Sequence, residues 1–533
     1  MTDHAWWRGA VIYQIYPRSF SDSNGDGIGD LPGITAHLDH VARLGVDAIW
    51  LCPFFVSPMR DFGYDVADYT AVDPVFGTLA DFDALLAHAH ALGLRVLIDQ
   101  VWSHTSDQHA WFLHSRASPD NDKADWYVWA DPRPDGTPPN NWLSVFGGSA
   151  WSWEPRRRQY YLHHFLPHQP QLNLHNPAVQ DALLASGQFW LDRGVDGFRL
   201  DALDFMTHDP ALRDNPPAPR SGPVPVKLFG MQLHAHDMMQ PGTFDFLCHI
   251  RALTDRYPGT VALGEVSSQN GAFARIRRYT AGATHLHMAY TLRPLRGGFD
   301  WATLRGLLAE AAVLDDDGWL CWSFSNHDVE RAISRWNPDR GAPPDPRFAR
   351  LLLALQLTLR GSVCVYQGEE LGLPEAELAR ADMRDPFGIA YWPEFRGRDG
   401  SRTPMPWQGA QTHAGFTTGT PWLPVPAAHR ALAVDAQEAD ADSLLHGWRH
   451  FLAFRRAHPA LVRGALRPLD LPEPCLGFVR EDAHERVLCL FNLAGEKIGV
   501  DRARILAQAP EGAAMLARVP EALGAFGVSI VCL

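Results

Sequence analysis

The segment Asn176–Ala202, NPAVQDALLASGQFWLDRGVDGFRLDA, contains the unit from which the fold is built. Asn176 is a favourable helix N-cap and Pro177 suits the first helical position, so we expect a helix to begin there. Apolar residues follow at helical spacing until Gly194, a residue type that commonly ends helices. The run GFRLDA (Gly197–Ala202) then has the character of a short buried strand, which indicates an α/β protein.

Seven more runs along the chain resemble Gly197–Ala202. The eight candidate strands lie in Val11–Pro17, Asp47–Pro53, Arg95–Val101, Gly197–Ala202, Val261–Val266, His285–Tyr290, Trp319–Asp328 and Ser362–Glu370. They are continuously apolar rather than alternating, as parallel strands covered on both faces are. Eight alternations of strand and helix predict a closed (β/α)₈ TIM barrel. The alternative is a doubly wound open sheet, but no GxGxxG opens a helix after any of these strands.

Two regions depart from this alternation. Residues 103–173, rich in Trp, Pro, Asp, Asn and His, predict an inserted subdomain after the third strand, and residues 215–242 form a long loop after the fourth. After about residue 455 the pattern changes to short strand-like pieces without helices between them. We therefore assign residues 1–102 and 174–454 to the barrel, and residues 455–533 to a C-terminal antiparallel β domain.

Composition excludes several classes of protein. The 533 residues are 46% hydrophobic and 20% charged, which is typical of a globular protein large enough for a sizeable core. The formal net charge of −14 disfavours a nucleic-acid partner, since binding phosphate backbones requires a cationic surface. No apolar run is long enough to predict a membrane span, so we expect no membrane partner either.

The N-terminal stretch and the cysteines indicate the compartment. MTDHAWWRGAVIYQ has no basic region followed by an apolar region and a cleavage site, so a cytoplasmic location is expected. The seven cysteines are scattered without any CxxC, which favours free thiols over disulfides or zinc ligands. The oligomeric state, monomer or dimer, is left open by the sequence.

Polar residues end the predicted strands, where the active site of such a barrel gathers. They are Asp99, His104, Arg199, Asp201, Glu265, His327 and Asp328. Arg199 and Asp201 are two positions apart on one strand, so their side chains share a face and the arginine is expected to hold Asp201 ionised. An ionised carboxylate can act as a nucleophile.

Glu265 is the second carboxyl of a pair whose pKa values are expected to differ. It lies in the apolar run VALGEV, where burial is expected to raise its pKa into the working range of a general acid. Two carboxyls with separated pKa values meet the requirement of glycoside hydrolysis, and a separation of about 5–5.5 Å predicts a retaining double displacement.

At these residues the chain resembles glycoside hydrolase family 13, the α-amylase family. DQVWSH (Asp99–His104), GFRLD (Gly197–Asp201), GEV (Gly264–Val266) and FSNHD (Phe324–Asp328) are similar to its four signature regions, in the same order. HQPQLNL (His168–Leu174) resembles the fifth region of the oligo-1,6-glucosidase and α-glucosidase branch, except that Gln171 replaces the usual Asp. YQIYPRSF, DSNGDGIGDL, FGYDVADY, YQGEELG and GRDGSRTPMPW extend the resemblance along essentially the whole chain.

The resemblance implies roles for individual residues. Asp201 would be the nucleophile, Glu265 the acid/base and Asp328 a third carboxylate that supports the oxocarbenium-like transition state. The glucose subsite would be lined by Asp61, Tyr64, His104, Phe165, Arg199, His327 and Arg398. His104 and His327 can donate to sugar hydroxyls, whereas Asp99 is expected to orient Arg199.

Substrate preference is also inferred from the resemblance. An Asp61–Arg398 pair, with Arg402 as the alternative arginine, would close the pocket behind the last glucose and give exo action. The residue after the nucleophile is Ala202, and small residues there resemble α-1,4 enzymes, so we expect maltose-like substrates and some transfer of glucose to acceptors.

The string DSNGDGIGD alternates oxygen-bearing side chains with glycines, as calcium loops do. The candidate ligands are Asp22, Asn24, Asp26, the carbonyl of Ile28, and Asp30. An ordinary Asp- and Gly-rich turn is the alternative, because the glutamate that ends an EF-hand loop is missing. The family resemblance favours one structural Ca²⁺ or Mg²⁺, and no catalytic cofactor is expected.

Three functions are weighed. The first is a retaining exo-α-glucosidase acting on small oligosaccharides or glucosides, and the second is a sucrose isomerase or α-glucosyltransferase with the same active site. The third, a non-enzymatic sugar-binding relative, is disfavoured because Asp201, Glu265 and Asp328 are all present.

Overall fold

The structure, a computed structural model, describes residues 5–219, 225–268, 270–312, 314, 318–340, 342–508 and 518–532. Residues 220–224 of the loop predicted at 215–242, and Leu533 at the end of the last predicted strand, lie outside this range. None of the described helices has both the length and the apolar character needed to cross a membrane.

The strands are numbered along the chain. They are β1 Val11–Ile15, β2 Ala48–Leu51, β3 Phe55–Val56, β4 Asp68–Val72, β5 Arg95–Gln100, β6 Trp129–Ala130, β7 Trp151–Glu154, β8 Gln159–Leu162, β9 Gly197–Leu200, β10 Val261–Val266, β11 Met288–Thr291, β12 Cys321–Ser323, β13 Ser362–Tyr366, β14 Ala465–Pro468, β15 Cys475–Glu481, β16 Arg486–Asn492, β17 Ile498–Gly499, β18 Ala522–Leu523 and β19 Val528–Cys532.

The α-helices are numbered in the same way. They are α1 Leu31–Leu44, α2 Leu79–Ala91, α3 Ala110–Ser115, α4 Pro177–Asp192, α5 Gly242–Thr254, α6 Ala272–Thr280, α7 Leu292–Arg296, α8 Trp301–Ala311, α9 Ala332–Arg335, α10 Pro346–Thr358, α11 Pro386–Tyr391, α12 Ala427–Ala431, α13 Val434–Ala439, α14 Leu444–Ala457, α15 Pro459–Val462 and α16 Arg502–Gln508.

The predicted barrel is confirmed. One eight-stranded sheet has the order β11-β10-β9-β5-β2-β1-β13-β12, and its neighbours are all parallel. A parallel bridge between Ala289 and Leu320 joins the two ends of this sheet, so it closes rather than remaining an open doubly wound sheet. The strands are buried almost throughout, which explains their continuous apolar character.

The helix and the strand predicted in the segment Asn176–Ala202 are both present. The side chain of Asn176 accepts a hydrogen bond from the backbone N–H of Ala178 at the start of α4, and Pro177 occupies the first turn. Gly197 begins β9 with φ +151°, and a Cβ there would lie 2.1 Å from the carbonyl oxygen of Val261 on β10. Only glycine permits this close approach of the two strands that carry Asp201 and Glu265.

Four smaller sheets lie outside the barrel among the described residues; two of them, β3-β4 and β17-β18, have only two strands. Strands β6, β8 and β7 form an antiparallel sheet within residues 103–173, and β14, β15, β16 and β19 form another near the C-terminus. The expectation that no helix lies between the C-terminal strands is wrong, because α16 follows β17 and buries Ile505 in that sheet's core. Helix α14 runs across the boundary expected at 454/455.

Candidate active site

The carboxyl-bearing residues meet at the C-terminal ends of the barrel strands. Asp99 is the penultimate residue of β5, Asp201 follows β9, Glu265 lies on β10 and Asp328 follows β12. Strands β5, β9 and β10 are neighbours in the sheet, and Asp99 is the register partner of Arg199. Parallel strands therefore bring together side chains that are far apart in the sequence.

Arg199 lies at the centre of this cluster and bonds to three of its carboxyls. Its Nη1 donates to both oxygens of Asp99, at 2.8 and 2.9 Å, and to Asp201 Oδ1 at 2.7 Å. Its Nη2 donates to Glu265 Oε2 and to the hydroxyl of Tyr290, each at 2.6 Å. The guanidinium thus bridges Asp201 and Glu265, and the expected contact between Asp99 and Arg199 is present.

Asp99, Asp201 and Glu265 share the one positive charge of Arg199. This sharing affects whether each carboxyl carries a proton. Burial raises the pKa of Glu265 to about 7, against the opposing effect of Arg199. The expected pairing of Arg199 with Asp201 is present, but burial raises the pKa of Asp201 to about 7 against the opposing charge of the arginine. A single proton retained within this pair of carboxyls reduces the negative charge that Arg199 has to balance.

Asp328 lies in a different electrostatic environment. Arg398 Nη1 and Arg402 Nη2 donate to its Oδ1 at 3.2 and 2.9 Å. Burial would raise the pKa of Asp328, but His327 and the two arginines lower it well below its usual range. The carboxylate is therefore ionised, and its side chain is 31% exposed at the mouth of the barrel.

His327 is held as a neutral donor. Burial lowers its pKa to about 3, and its Nδ1 accepts a hydrogen bond from Gln14 Nε2 at 2.7 Å. The proton is thereby placed on Nε2, which lies 3.2 Å from Asp328 Oδ2. The ring of Tyr64 stacks on His327 at 5.1 Å. Gln14 was not predicted, although it belongs to the quoted segment YQIYPRSF.

The predicted Asp61–Arg398 pair is present. Arg398 Nη2 donates to Asp61 Oδ1 at 2.6 Å, whereas Arg402 has no bond to Asp61 among the described contacts. Arg398 also binds Asp385, whose side chain caps the start of α11. Asp385 was not recognised in the sequence, because an isolated Asp before a proline carries no signal beyond a helix N-cap.

His104 differs from its predicted role as a donor to substrate. Its Nε2 donates to the carbonyl oxygen of Tyr64 at 2.9 Å, and its Nδ1 pairs with Ser103 Oγ at 2.9 Å. Both ring nitrogens are therefore used within the protein. Gln169 lies beside this histidine and donates to Asp61 Oδ2 at 3.2 Å, so its amide is a polar group at the pocket that sequence reasoning missed.

The remaining predicted residues lie around the nucleophile loop. Phe165 is half-buried, with its ring centroid 5.2 Å from that of His104 and 5.0 Å from that of Phe205. Gln171 Nε2 donates to the carbonyl oxygen of Phe205 at 2.7 Å, so the residue that replaces the usual Asp ties the subdomain to this loop. Ala202 adopts φ 47° and ψ 48°, and its N–H donates to Glu265 Oε2 at 3.1 Å.

The predicted cation loop is closed by its own hydrogen bonds. Asp22 Oδ1 accepts from the N–H of Gly25 at 2.7 Å, and Asp26 Oδ1 accepts from that of Ile28 at 2.8 Å. Asp30 caps α1 by accepting from the N–H of Gly33. No group of three His, Cys, Asp or Glu side chains is arranged as a metal site among the residues that the structure describes. These carboxylates nevertheless retain unused lone pairs of the kind that hard cations prefer.

Comparison with known proteins places this geometry among sugar-acting enzymes. The sequence model of the family described as alpha amylase, catalytic domain, matches residues 14–464. A probable alpha-glucosidase of Rhizobium meliloti is 55% identical over 505 residues, covering 93% of this chain and 90% of the relative. An oligo-1,6-glucosidase of Heyndrickxia coagulans is 36% identical and covers 93% of this chain and 94% of its own.

Solved structures agree with these relatives. The alpha-glucosyl transfer enzyme XgtA superposes with a TM-score of 0.90 at 57% identity, covering 93% of this chain and 92% of that one. The trehalulose synthase MutB from Pseudomonas mesoacidophila superposes with a TM-score of 0.83 at 33% identity, covering 93% of each chain.

Proposed function

Because this chain belongs to the α-amylase family and is a glycoside hydrolase of its α-glucosidase group, we propose that it is a retaining, exo-acting α-glucosidase. Its proposed substrates are short α-1,4-linked glucosides such as maltose, with some transfer of glucose to acceptors. The resemblance to the family and to its α-glucosidase branch, predicted from the motifs, is confirmed by these relatives.

The main support for this proposal is that the guanidinium of Arg199 hydrogen-bonds to both Asp201 and Glu265. The two carboxyls are bonded to the two amino groups of Arg199, at 2.7 and 2.6 Å. A nucleophile and an acid/base held by one guanidinium can act on the same glycosidic bond.

The proposed reaction has two balanced steps. In the first, Glu265 gives its proton to the glycosidic oxygen while an Asp201 oxygen bonds to the anomeric carbon and the leaving alcohol departs. In the second, water gives a proton back to Glu265 and its oxygen displaces Asp201, releasing α-glucose. Asp328, ionised beside Arg398 and Arg402, would stabilise the positive charge that develops on the sugar ring.

Exo action and transfer are supported by contacts around the pocket. The Asp61–Arg398 pair, itself tied to Asp385, would block extension of the glucan beyond the terminal glucose. On the side of the nucleophile loop, Ala202, Phe205 and Met238 form a buried apolar cluster. An apolar wall beside the glucosyl-enzyme would favour an acceptor alcohol over water.

A glucosyltransferase or sucrose isomerase is the second candidate. It is favoured by the likeness to XgtA, an alpha-glucosyl transfer enzyme, and to MutB, a trehalulose synthase. The two candidates share the first chemical step and differ in whether water or a sugar takes the glucosyl group.

The deciding experiment is proton NMR of reactions with maltose, isomaltose and sucrose. We expect α-glucose as the first anomer released and cleavage of maltose much faster than that of isomaltose. Initial β-glucose would contradict the retaining mechanism, and conversion of sucrose into another disaccharide without free glucose would favour the isomerase.

The pH dependence tests the assignment of the acid. Glu265 must hold a proton in the first step, so kcat/KM should fall as pH rises through the pKa of about 7 that burial gives this residue. Initial rates on maltose over about pH 4 to 9 would measure this limb. A profile that stays flat through the neutral range would contradict the assignment of Glu265 as the acid.

We also propose that residues 22–30 bind one Ca²⁺ or Mg²⁺. The oxygen atoms of Asp22, Asn24, Asp26 and Asp30, with the carbonyl of Ile28, would hold the ion, and the ion would stabilise the loop without entering the reaction. The support is the oxygen-only donor set and the exposure of Asn24 and Asp26.

Chelation tests the cation proposal. Treatment with EDTA should lower the thermal unfolding temperature by a few degrees, and added calcium should restore it, because a ligand that binds only the folded state stabilises it. The Asp26→Ala variant should lose this response. An unfolding temperature that ignores both EDTA and calcium would show that the loop is an ordinary turn.

A further inference from the structure

A turn of the inserted subdomain, residues 144–148, contacts α11 on the far side of the pocket; we call this turn the tip. Two backbone hydrogen bonds shape it: the N–H of Ser144 donates to the carbonyl oxygen of Gly148, and the N–H of Gly147 donates to that of Ser144, each at 3.0 Å. The tip therefore has a defined conformation. It carries Phe146, whose side chain is half-buried.

Two side chains of α11 hold the tip in place. The ring centroid of Phe387 lies 4.5 Å from that of Phe146, and the hydroxyl of Tyr391 donates to the carbonyl oxygen of Phe146 at 3.2 Å. Gly147 has φ +103°, and a Cβ at this position would overlap the Tyr391 hydroxyl. Only glycine therefore lets the tip approach α11 this closely.

Arg398 lies beneath this contact. Its Cζ is 5.3 Å from the centroid of the Phe146 ring, which is within the range of a cation–π interaction. From another side, Asp385 accepts hydrogen bonds from Arg398 Nε at 3.1 Å and from Nη2 at 2.7 Å. The same carboxylate caps the start of α11. This short helix thus connects the position of Arg398 with the position of the tip.

These restraints matter because Arg398 closes the pocket. An arginine side chain is long and flexible, so its single bond to Asp61 would not by itself fix it. With the ring of Phe146 above it and Asp385 beside it, Arg398 is only 8% exposed. A glucan that continued beyond the terminal glucose would need the space that this held side chain fills.

We propose that the contact of Phe146 and Gly147 with α11 is a specificity-determining wall, which keeps Arg398 in place and limits the glycone side of the pocket to one glucose unit. Where this contact is lost, Arg398 can move away from Asp61 and a disaccharide unit can enter. This inference rests on the proposed exo-acting α-glucosidase and names the residues that make it exo-acting.

The first products from 4-nitrophenyl α-maltoside test the wall. A pocket for one glucose releases glucose and 4-nitrophenyl α-glucoside, whereas a pocket for two releases maltose and 4-nitrophenol. Chromatography at low conversion, before transfer products accumulate, separates them. We expect glucose from the parent protein, with maltose as a trace. In Phe146→Ala the share of maltose should rise by about tenfold or more, while kcat on α-glucosyl fluoride changes little because the reacting carboxyls are untouched.

Two neighbouring glycines provide a matched pair of variants. Gly148 also has a positive φ, +74°, but no described atom lies within 4 Å of the position of its Cβ. Both alanine replacements strain the backbone, and only Gly147→Ala pushes the tip away from Tyr391. We expect Gly147→Ala to raise the share of maltose and Gly148→Ala to give the products of the parent. Equal effects of the two replacements would overturn the proposal.

Two milder variants cover the case in which a replacement unfolds the protein, which thermal unfolding would detect. Tyr391→Phe removes only the hydroxyl that bonds the tip, and it should raise the share of maltose by a smaller factor. Trp153→Ala removes an exposed aromatic ring from β7 of the same subdomain and should leave the products unchanged.

The outcomes separate this inference from the proposed function. Glucose alone from the parent and equally from the folded Phe146, Gly147 and Tyr391 variants would overturn the wall and leave exo action intact. Maltose as a main first product of the parent would overturn exo action and the inference with it.

Discussion

Replacement of Asp201 by asparagine is expected to lower kcat on maltose by about 10⁴-fold or more. The amide cannot form the ester with the anomeric carbon, so the covalent route is lost. The variant should still fold, because Asp99 and Glu265 still balance the single charge of Arg199 after the carboxyl of Asp201 is lost. Activity by glucose release and unfolding by circular dichroism would be measured together.

An external nucleophile distinguishes a lost nucleophile from a damaged site. In Asp201→Ala, azide can enter the vacated space and attack α-glucosyl fluoride from the same face, so β-glucosyl azide is expected. Asp245→Asn, an exposed carboxylate on α5, is the matched control and should retain full activity. Activity of Asp201→Asn within about tenfold of the parent would refute the assignment.

Replacement of Glu265 by glutamine is expected to lower kcat/KM on maltose by about 10³-fold. The loss arises because the sugar leaving group then departs without a proton. α-Glucosyl fluoride, whose leaving group needs little protonation, should be affected far less in the first step. The fall of activity at alkaline pH should also disappear, since the group that titrates near pH 7 is gone.

Azide also distinguishes the role of Glu265 from that of Asp201. With Glu265→Ala the covalent intermediate still forms on Asp201, and azide attacks it to give α-glucosyl azide, the anomer opposite to that expected from Asp201→Ala. An equal loss on maltose and on the fluoride, with no azide product, would contradict a role in proton transfer and indicate a structural one instead.

Much of the fold follows from local patterns. The start of α4 at Pro177 depends on the side chain of Asn176 and on a proline that suits the first turn, which are contacts within a few residues. The barrel strands are recognisable because both faces are buried, which makes them apolar throughout. Helix α16 was missed because it is short and follows a strand-rich stretch.

The identities of the acidic residues were also readable, since the ends of parallel strands converge at one mouth of a barrel. The raised pKa of Glu265 was readable too, from the apolar run around it, whereas the raised pKa of Asp201 was not. Arg199 was expected to pair with Asp201 and to be oriented by Asp99, but in the folded chain it bonds to Glu265 as well. Sharing one guanidinium among three buried carboxyls changes which of them keeps a proton, and that depends on distances between strands.

The sequence by itself therefore determined the barrel, the order of its strands and which carboxyls lie at its mouth, because these depend on short-range patterns and on the geometry of parallel strands. Tertiary structure alone decided the bond from Gln14 to His327, the bond from Arg398 to Asp385, and the internal use of His104. These contacts join distant parts of the chain, where burial and charge depend on what the fold brings within hydrogen-bonding distance.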